Sequence, residues 1–247
     1  MDSAAKLSMP PPLAELGRER PVALFLDFDG TLIDIAATPD SIVVPHDLAA
    51  RLQALSRRME GRLALVTGRA VANLEQHCGP LGVALAGSHG LSRFSAAREQ
   101  LGRVPRPLPE SVFEALAEFA DGSGLHLERK AYGAALHYRA DPSLAERAEA
   151  FAGSLAVEHG LMVKHGKYVV ELVPPGADKG AAVRAFMDEP PFAGSRAVFV
   201  GDDVTDEDGF AAASELGGFG VLVGRRAATA ARYALADPAA VGDWLGL

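Results

Sequence analysis

Cysteine is nearly absent: Cys78 is the single one in 247 residues. One thiol forms no intramolecular disulfide and builds no thiolate-rich metal site, so a reducing cytoplasm is the expected home. A basic excess is missing too. The formal net charge is −8, whereas a partner such as nucleic acid or an anionic membrane surface is normally met by the opposite sign. Positive charge around any anionic substrate must therefore be placed locally. No apolar run approaches the ~18 residues that a bilayer crossing takes. Residues 1–20, polar and broken by Pro10, Pro11 and Pro12, lack the apolar stretch of a signal peptide. No internal repeat or low-complexity block is visible. These absences leave a small-molecule ligand, with no nucleic acid and no membrane, as the expected partner.

What is present is enough apolar material, 49% of residues, for one core and a smaller second domain. Residues 22–27 (VALFLD) are a continuous apolar run, as in a strand buried on both faces. Residues 46–59 place Leu48, Leu52 and Leu55 at helical spacing. A second strand follows at 63–68 (LALVTG), a helix at 70–77 and a third strand at 82–87. This βαβαβ rhythm predicts a parallel sheet covered by helices. Three prolines within 102–110 then read as a linker. Beyond it come a helix over 110–120, alternating strands over 125–130 and 134–139, a helix over 142–159 and a hairpin across 161–172. After 173–180 (VPPGADKG) the parallel rhythm resumes with a helix over 179–187, a strand over 197–202, a short helix and a strand over 219–224. The fold class expected is α/β. A loose leader (1–20) precedes a parallel-sheet core (21–103 and 174–247), which is interrupted by an α+β insert (104–173).

Ligands of parallel sheets gather at the carboxyl ends of the strands. Asp27 and Asp29 follow the first strand, Thr67 and Gly68 the second, His89 and Gly90 the third, and Asp202 and Asp203 the strand after the insert. Lys179 opens the helix before that last strand. Carboxylates on two strands suit a hard cation such as Mg²⁺, which takes oxygen ligands and keeps several waters. A phosphate drawn to that cation needs further donors, and Thr67, the Gly30 N–H and Lys179 are of the right type. Each feature alone has an ordinary explanation. A carboxylate pair can cap a loop, GDDVTDE can open a helix, Thr67 can cap the helix after it, and a lysine is most often at the surface. All of them at strand ends would require four coincidences.

DFDGT at 27–31, TGR at 67–69, Lys179 in DKG and GDDVTDE at 201–207 resemble, in order, the four signature motifs of the haloacid dehalogenase (HAD) superfamily. The insert lies between the second and third motifs, as a C2-type cap does, so the resemblance implies a Rossmann-like core with an α+β cap. It further implies that Asp27 is a nucleophile forming an aspartyl phosphate, and that Asp29 is the acid and then the base, with its backbone carbonyl on Mg²⁺. Thr67 and Lys179 would hold the phosphoryl group. Asp202 would ligate the metal, with Asp203 and Asp206 ordering its waters. Gly30, Gly68 and Arg69 would line the substrate site.

The strands of the insert alternate in character. Leu125, Leu127, Leu136, Tyr138, Tyr168, Val170 and Leu172 fall on one parity; Glu128, Lys130, His137, Arg139, Lys167 and Glu171 fall on the other. Arg129 breaks the parity and is expected at an edge. A polar face of this kind is commonly just solvated, but beside a phosphatase site it suits a polyhydroxyl compound. LERKAYGAALHYR, HGKYVVELVPPGADKG, FVGDDVTDEDGF and LAGSHG are similar to stretches of the bacterial trehalose-6-phosphate phosphatases, from about Val22 to Leu245. That resemblance assigns Glu128, Lys130, His137, Arg139, Lys167, Glu171, His89 and Gly90 to substrate binding. Where the family usually has a glutamate, two residues past Gly90, this chain has Ser92. The reaction implied is Mg²⁺-dependent hydrolysis of trehalose 6-phosphate. The alternatives are a phosphatase for sucrose phosphate or a glycosyl phosphoglycerate, and a catalytically silent sugar-phosphate-binding module.

Overall fold

A computed structural model of the chain describes residues 7–36, 41–166 and 168–247. Contacts divide the chain into two compact units: Met1–Arg103 with Asp178–Leu247, and Val104–Ala177. No helix among the described residues is long and apolar enough to cross a membrane.

The first unit is built on an eight-stranded sheet. Its strands are β1 (Val22–Leu26), β2 (Leu63–Val66), β3 (Ala84–Gly87), β4 (Ser92–Phe94) and β5 (Gln100–Leu101), then, after the four strands of the insert, β10 (Arg196–Gly201), β11 (Phe219–Val223) and β12 (Tyr233–Leu235). The order is β12-β11-β10-β1-β2-β3-β4-β5, parallel from β12 to β3 and antiparallel in the last two pairs. Because side chains alternate along a strand, β1 feeds two cores. Leu24 and Leu26 pack with Leu52 and Leu55 of α2 (Leu48–Arg58), Leu74 of α3 (Val71–Cys78) and Leu245 of α8 (Pro238–Leu245). Ala23 and Phe25 pack on the other face with Val183 and Phe186 of α6 (Lys179–Met187) and Phe210 of α7 (Glu207–Glu215). Each such leucine, valine or phenylalanine side chain, fully buried, contributes about 1.5–3 kcal/mol. This double covering explains the uninterrupted apolar runs.

The leader departs from expectation over its described part. Residues 13–16 form a helical turn, α1 (Leu13–Leu16), and Leu16 is buried. Trp244 Nε1 donates to the Pro11 carbonyl at 2.9 Å, and Ala234 N–H to the Ser8 carbonyl at 3.0 Å. The prolines that made this stretch look loose pre-set φ, and their carbonyls still accept hydrogen bonds.

The second unit is a four-stranded antiparallel sheet, order β6-β7-β9-β8, of β6 (His126–Lys130), β7 (Gly133–His137), β8 (Met162–Gly166) and β9 (Val169–Val173). Ala134, Leu136, Val170 and Leu172 pack against Val112 and Leu116 of α4 (Glu110–Ala120) and Ala152 and Leu155 of α5 (Ala145–His159). Arg129 lies on edge strand β6. Its guanidinium stacks 4.0 Å from the Phe113 ring centre and its nitrogens bond Glu110, so it roofs the end of the helical layer.

Candidate active site

The parallel register sets Leu26 opposite Val200, which brings the residues after β1 and β10 to adjacent strand ends. Lys179 enters the same place from the start of α6. Asp178 caps that helix, accepting from Gly180 N–H at 2.7 Å and Ala181 N–H at 3.3 Å. Lys179 Nζ then donates to Asp27 Oδ1 at 2.9 Å and to Asp206 Oδ1 at 2.6 Å. The lysine is 2% exposed. Burial works against its charge, but the carboxylates of Asp206 and Asp27 outweigh burial and hold its pKa above the usual lysine value. Burial pushes Asp27 well above the usual carboxylate range; Lys179 opposes that rise, and the charges of Asp206 and Asp202 add to it.

Asp206 and Asp202 use their oxygens differently. Asp206 is fully buried. Its second oxygen accepts from the backbone N–H groups of Asp202 (2.9 Å) and Asp203 (2.8 Å), so both oxygens are engaged. Asp202 Oδ1 is buried with no hydrogen-bond partner. Burial, and after it the charges of Asp206 and Asp203, push the Asp202 carboxyl up to about 7. Asp27, Asp202 and Asp206 each bring one carboxylate oxygen within 4.8 Å of the others. An orphaned buried oxygen, an all-oxygen donor set and mutually repelling carboxylates fit a hard divalent cation. With both Asp206 oxygens committed, the Asp27 oxygen not bonded to Lys179 and the unpartnered Asp202 Oδ1 are the ones that would hold it.

The side chains of the other two aspartates expected near the metal make hydrogen bonds of their own. Asp203 shares a reciprocal capping box with Asp206 at the turn Val204–Asp206. Asp29 is gripped at both oxygens by Arg69, at 2.6 and 2.7 Å. The remaining Arg69 nitrogen donates to Asn73 Oδ1 at 2.8 Å. Arg69, expected on the substrate, thus has its guanidinium on Asp29 and Asn73. Thr67 is buried, and its Oγ1 accepts from Arg69 N–H at 3.1 Å. His89 N–H bonds the Thr67 carbonyl at 3.0 Å, which ties the loop after β3 to the loop after β2. Gly68 sits where a Cβ would come within 2.7 Å of the His89 ring. Gly30 has φ +75° and no room for a Cβ, which would strike the Asp202 carboxylate. Gly90, also at positive φ, approaches the Asp178 carbonyl. Ser92, at the place of the missing glutamate, opens β4 and is buried.

In the second unit, the register sets Glu128, Ala135, Glu171 and Lys164 in one row across the sheet. His137 Nε2 lies 2.8 Å from Glu128 Oε2, and Lys130 Nζ donates to Glu171 Oε2 at 2.7 Å. The hydrogen bond to His137 holds Glu128 below its usual pKa, against burial. Arg139 is exposed, its guanidinium 6.0 Å from the Tyr168 ring centre. Lys167 lies outside the described residues. Two polar residues escaped the sequence reading: Lys164, visible only once the β8–β9 register is known, and Arg226, which donates to the Asp202 carbonyl from a loop with no motif.

A parallel sheet with an aspartate at the end of a central strand, locked to a buried lysine, forms the heart of the site, and the fold is similar to that of a haloacid dehalogenase-like hydrolase from Bacteroides thetaiotaomicron, with a TM-score of 0.63 at 17% identity over 92% of this chain and 99% of that one. The trehalose-phosphatase family model matches residues 25–239, and the chain belongs to that family. It is 42% identical over 209 residues to the probable trehalose-phosphate phosphatase of Sinorhizobium fredii, covering 82% of this chain and 77% of that protein. It is 38% identical over 226 residues to the trehalose-6-phosphate phosphatase of Escherichia coli, covering 90% and 85%. Among solved structures, the C-terminal domain of the C. albicans trehalose-6-phosphate phosphatase superposes with a TM-score of 0.79 at 26% identity, over 98% of each chain.

Proposed function

We propose that this protein hydrolyses trehalose 6-phosphate to trehalose and phosphate through an aspartyl phosphate on Asp27, with Mg²⁺ held by Asp27 and Asp202. The observation that carries the chemistry is Lys179 bridging Asp27 and Asp206 beside an unpartnered Asp202 oxygen. The substrate rests on family membership and on the names of the relatives.

When bound, the cation offsets the charge of both phosphate and nucleophile, so that the two can approach. Asp27 forms the O–P bond as the bond from phosphorus to the sugar oxygen breaks, and the leaving alkoxide takes a proton from the Asp29 carboxyl. Water then attacks phosphorus and gives its proton to Asp29, which frees the Asp27 carboxylate and inorganic phosphate. Lys179 and Thr67 hold the transferring oxygens throughout. Asp29 would carry that proton on a carboxyl whose two oxygens also accept from Arg69, a bidentate contact that fixes the direction of the group. In the second unit, Glu128 and Glu171 would accept from sugar hydroxyls while Lys130, Arg139 and Lys167 donate. The single thiol agrees with a cytoplasmic setting.

Phosphate release with Mg²⁺ from trehalose 6-phosphate, sucrose 6-phosphate and a glucosyl phosphoglycerate tests this reading. Trehalose 6-phosphate is expected to lead by at least ~10-fold in kcat/KM. A lead by another sugar phosphate would overturn the substrate. Tight binding of sugar phosphate without release would replace the enzyme by a binding module.

A further inference from the structure

Arg226 lies in the loop after β11, and none of the chemistry above uses it. Its Nη2 donates to the Asp202 carbonyl at 2.6 Å and its Nη1 to Glu207 Oε1 at 3.0 Å. Glu207 opens α7, and its other oxygen accepts from Ala230 N–H, further along the same loop, at 2.7 Å. Arginine, glutamate and loop backbone thus close a ring of charge-assisted hydrogen bonds around the turn that carries Asp202. A guanidinium suits this place. Its planar fork reaches two acceptors at once in a fixed geometry, which a single ammonium cannot reproduce. Glu207 also neutralises it, so little positive charge is added beside a cation site.

The consequence for Asp202 is a backbone held at both polar groups. Its N–H is bound by Asp206 Oδ2 at 2.9 Å and its carbonyl by Arg226. Gly30 closes one side of the carboxylate, leaving no space for a Cβ there. Asp202 is therefore aimed through its main chain, while its buried Oδ1 keeps its lone pairs. A metal ligand needs this combination of fixed direction and free oxygen.

We infer that Arg226, braced by Glu207, is a positioning residue that sets the cation affinity of the Asp27–Asp202 site by holding the Asp202 backbone. This rests on the cation proposed above. The test uses the whole chain without substrate: Mg²⁺ titrated by calorimetry into wild type, R226M, E207Q and the double variant, with metal-free melts as a folding check. R226M is expected to bind Mg²⁺ ~10–100-fold more weakly. E207Q weakens binding in the same direction by less, and the double variant is no worse than R226M, because both break one brace. In turnover, the half-saturating Mg²⁺ rises by the same factor, while KM for the sugar phosphate at saturating Mg²⁺ stays at the wild-type value. Mg²⁺ affinity of R226M within about twofold of wild type, or losses that simply add in the double variant, would overturn the inference. Should R226M fail to fold, E207Q carries the test alone, and unchanged affinity there overturns it. Wild type that binds no Mg²⁺ would instead remove the cation reading itself, a result distinct from normal wild-type binding with unaffected variants.

Discussion

Asp202 and Asp206 share one loop and nearly one environment, yet a single difference in hydrogen bonding separates their uses. Asp206 has every oxygen filled by Lys179 and two backbone donors, and acts as an internal counter-ion. Asp202 keeps a buried, empty oxygen, and its folded-state pKa rises from 3.8 to about 7. A carboxyl with a raised folded pKa binds more protons in the folded than in the unfolded state between those two values. Its site is therefore fully stable below the unfolded pKa and loses stability as pH rises through about 7. In chelator at about pH 8, D202N is expected to melt above wild type, by roughly 1–3 kcal/mol in stability, and the gap closes towards pH 5. Added Mg²⁺ should raise the wild-type melting point most at the higher pH. Melts at the two pH values check this, and a D202N gap that ignores pH would contradict it. Asp27, Asp202, Thr67 and Lys179 could be singled out in the sequence because their types recur at predicted strand ends. The Asp203 capping role was not, since a capping box and a metal site ask for the same residue. Nor was Arg226, whose part depends on a loop crossing 24 positions from its partner.

Sheet elements were readable to the extent that periodicity reaches. β1, β2 and β10 are doubly buried and appear as apolar runs, while the strands of the insert alternate and their parity puts Leu125, Leu136, Tyr138, Val170 and Leu172 in the core; Tyr168, expected with them, is instead exposed in the β8–β9 turn at φ +64°, where the strand period no longer holds. β4 and β5, with three and two residues, are too short to show a period. β3 starts at Ala84 instead of 82 because Gly82 turns the chain at φ +63°. Parity, however, does not say which residues on a face meet. The register does, and it joins Lys130 to Glu171 and Glu128 to His137. If that face takes sugar hydroxyls, K130A and E171A should each raise KM for trehalose 6-phosphate by about 10-fold, through one lost pair, and the double variant should do little more. The rate on p-nitrophenyl phosphate, which has no sugar, should fall far less. An equal loss on both substrates would assign the pair to holding the sheet together.

Across the molecule, the acidic balance is −8, and three cations near the strand ends are built into specific pairs. Lys179 binds Asp27 and Asp206, Arg69 binds Asp29, and Arg226 binds Glu207. The division between units falls after Ala177, where the sequence put the return to the core at 174. The Pro-Pro-Gly stretch signalled the end of the insert's last strand, but the core resumes only at Asp178, the residue that caps α6 and directs Lys179. The leader shows the converse: composition made it loose, and its contacts with Trp244 and Ala234 are invisible to any local pattern. In the proposed reaction one of these carboxylates, that of Asp27, does the bond-making. The most direct measurement is phosphate release from trehalose 6-phosphate with Mg²⁺ by wild type and D27N, each shown to be folded by its melting transition. Wild type should turn over and folded D27N should be slower by at least ~1,000-fold; release by D27N at a rate near wild type would show that Asp27 is not the nucleophile.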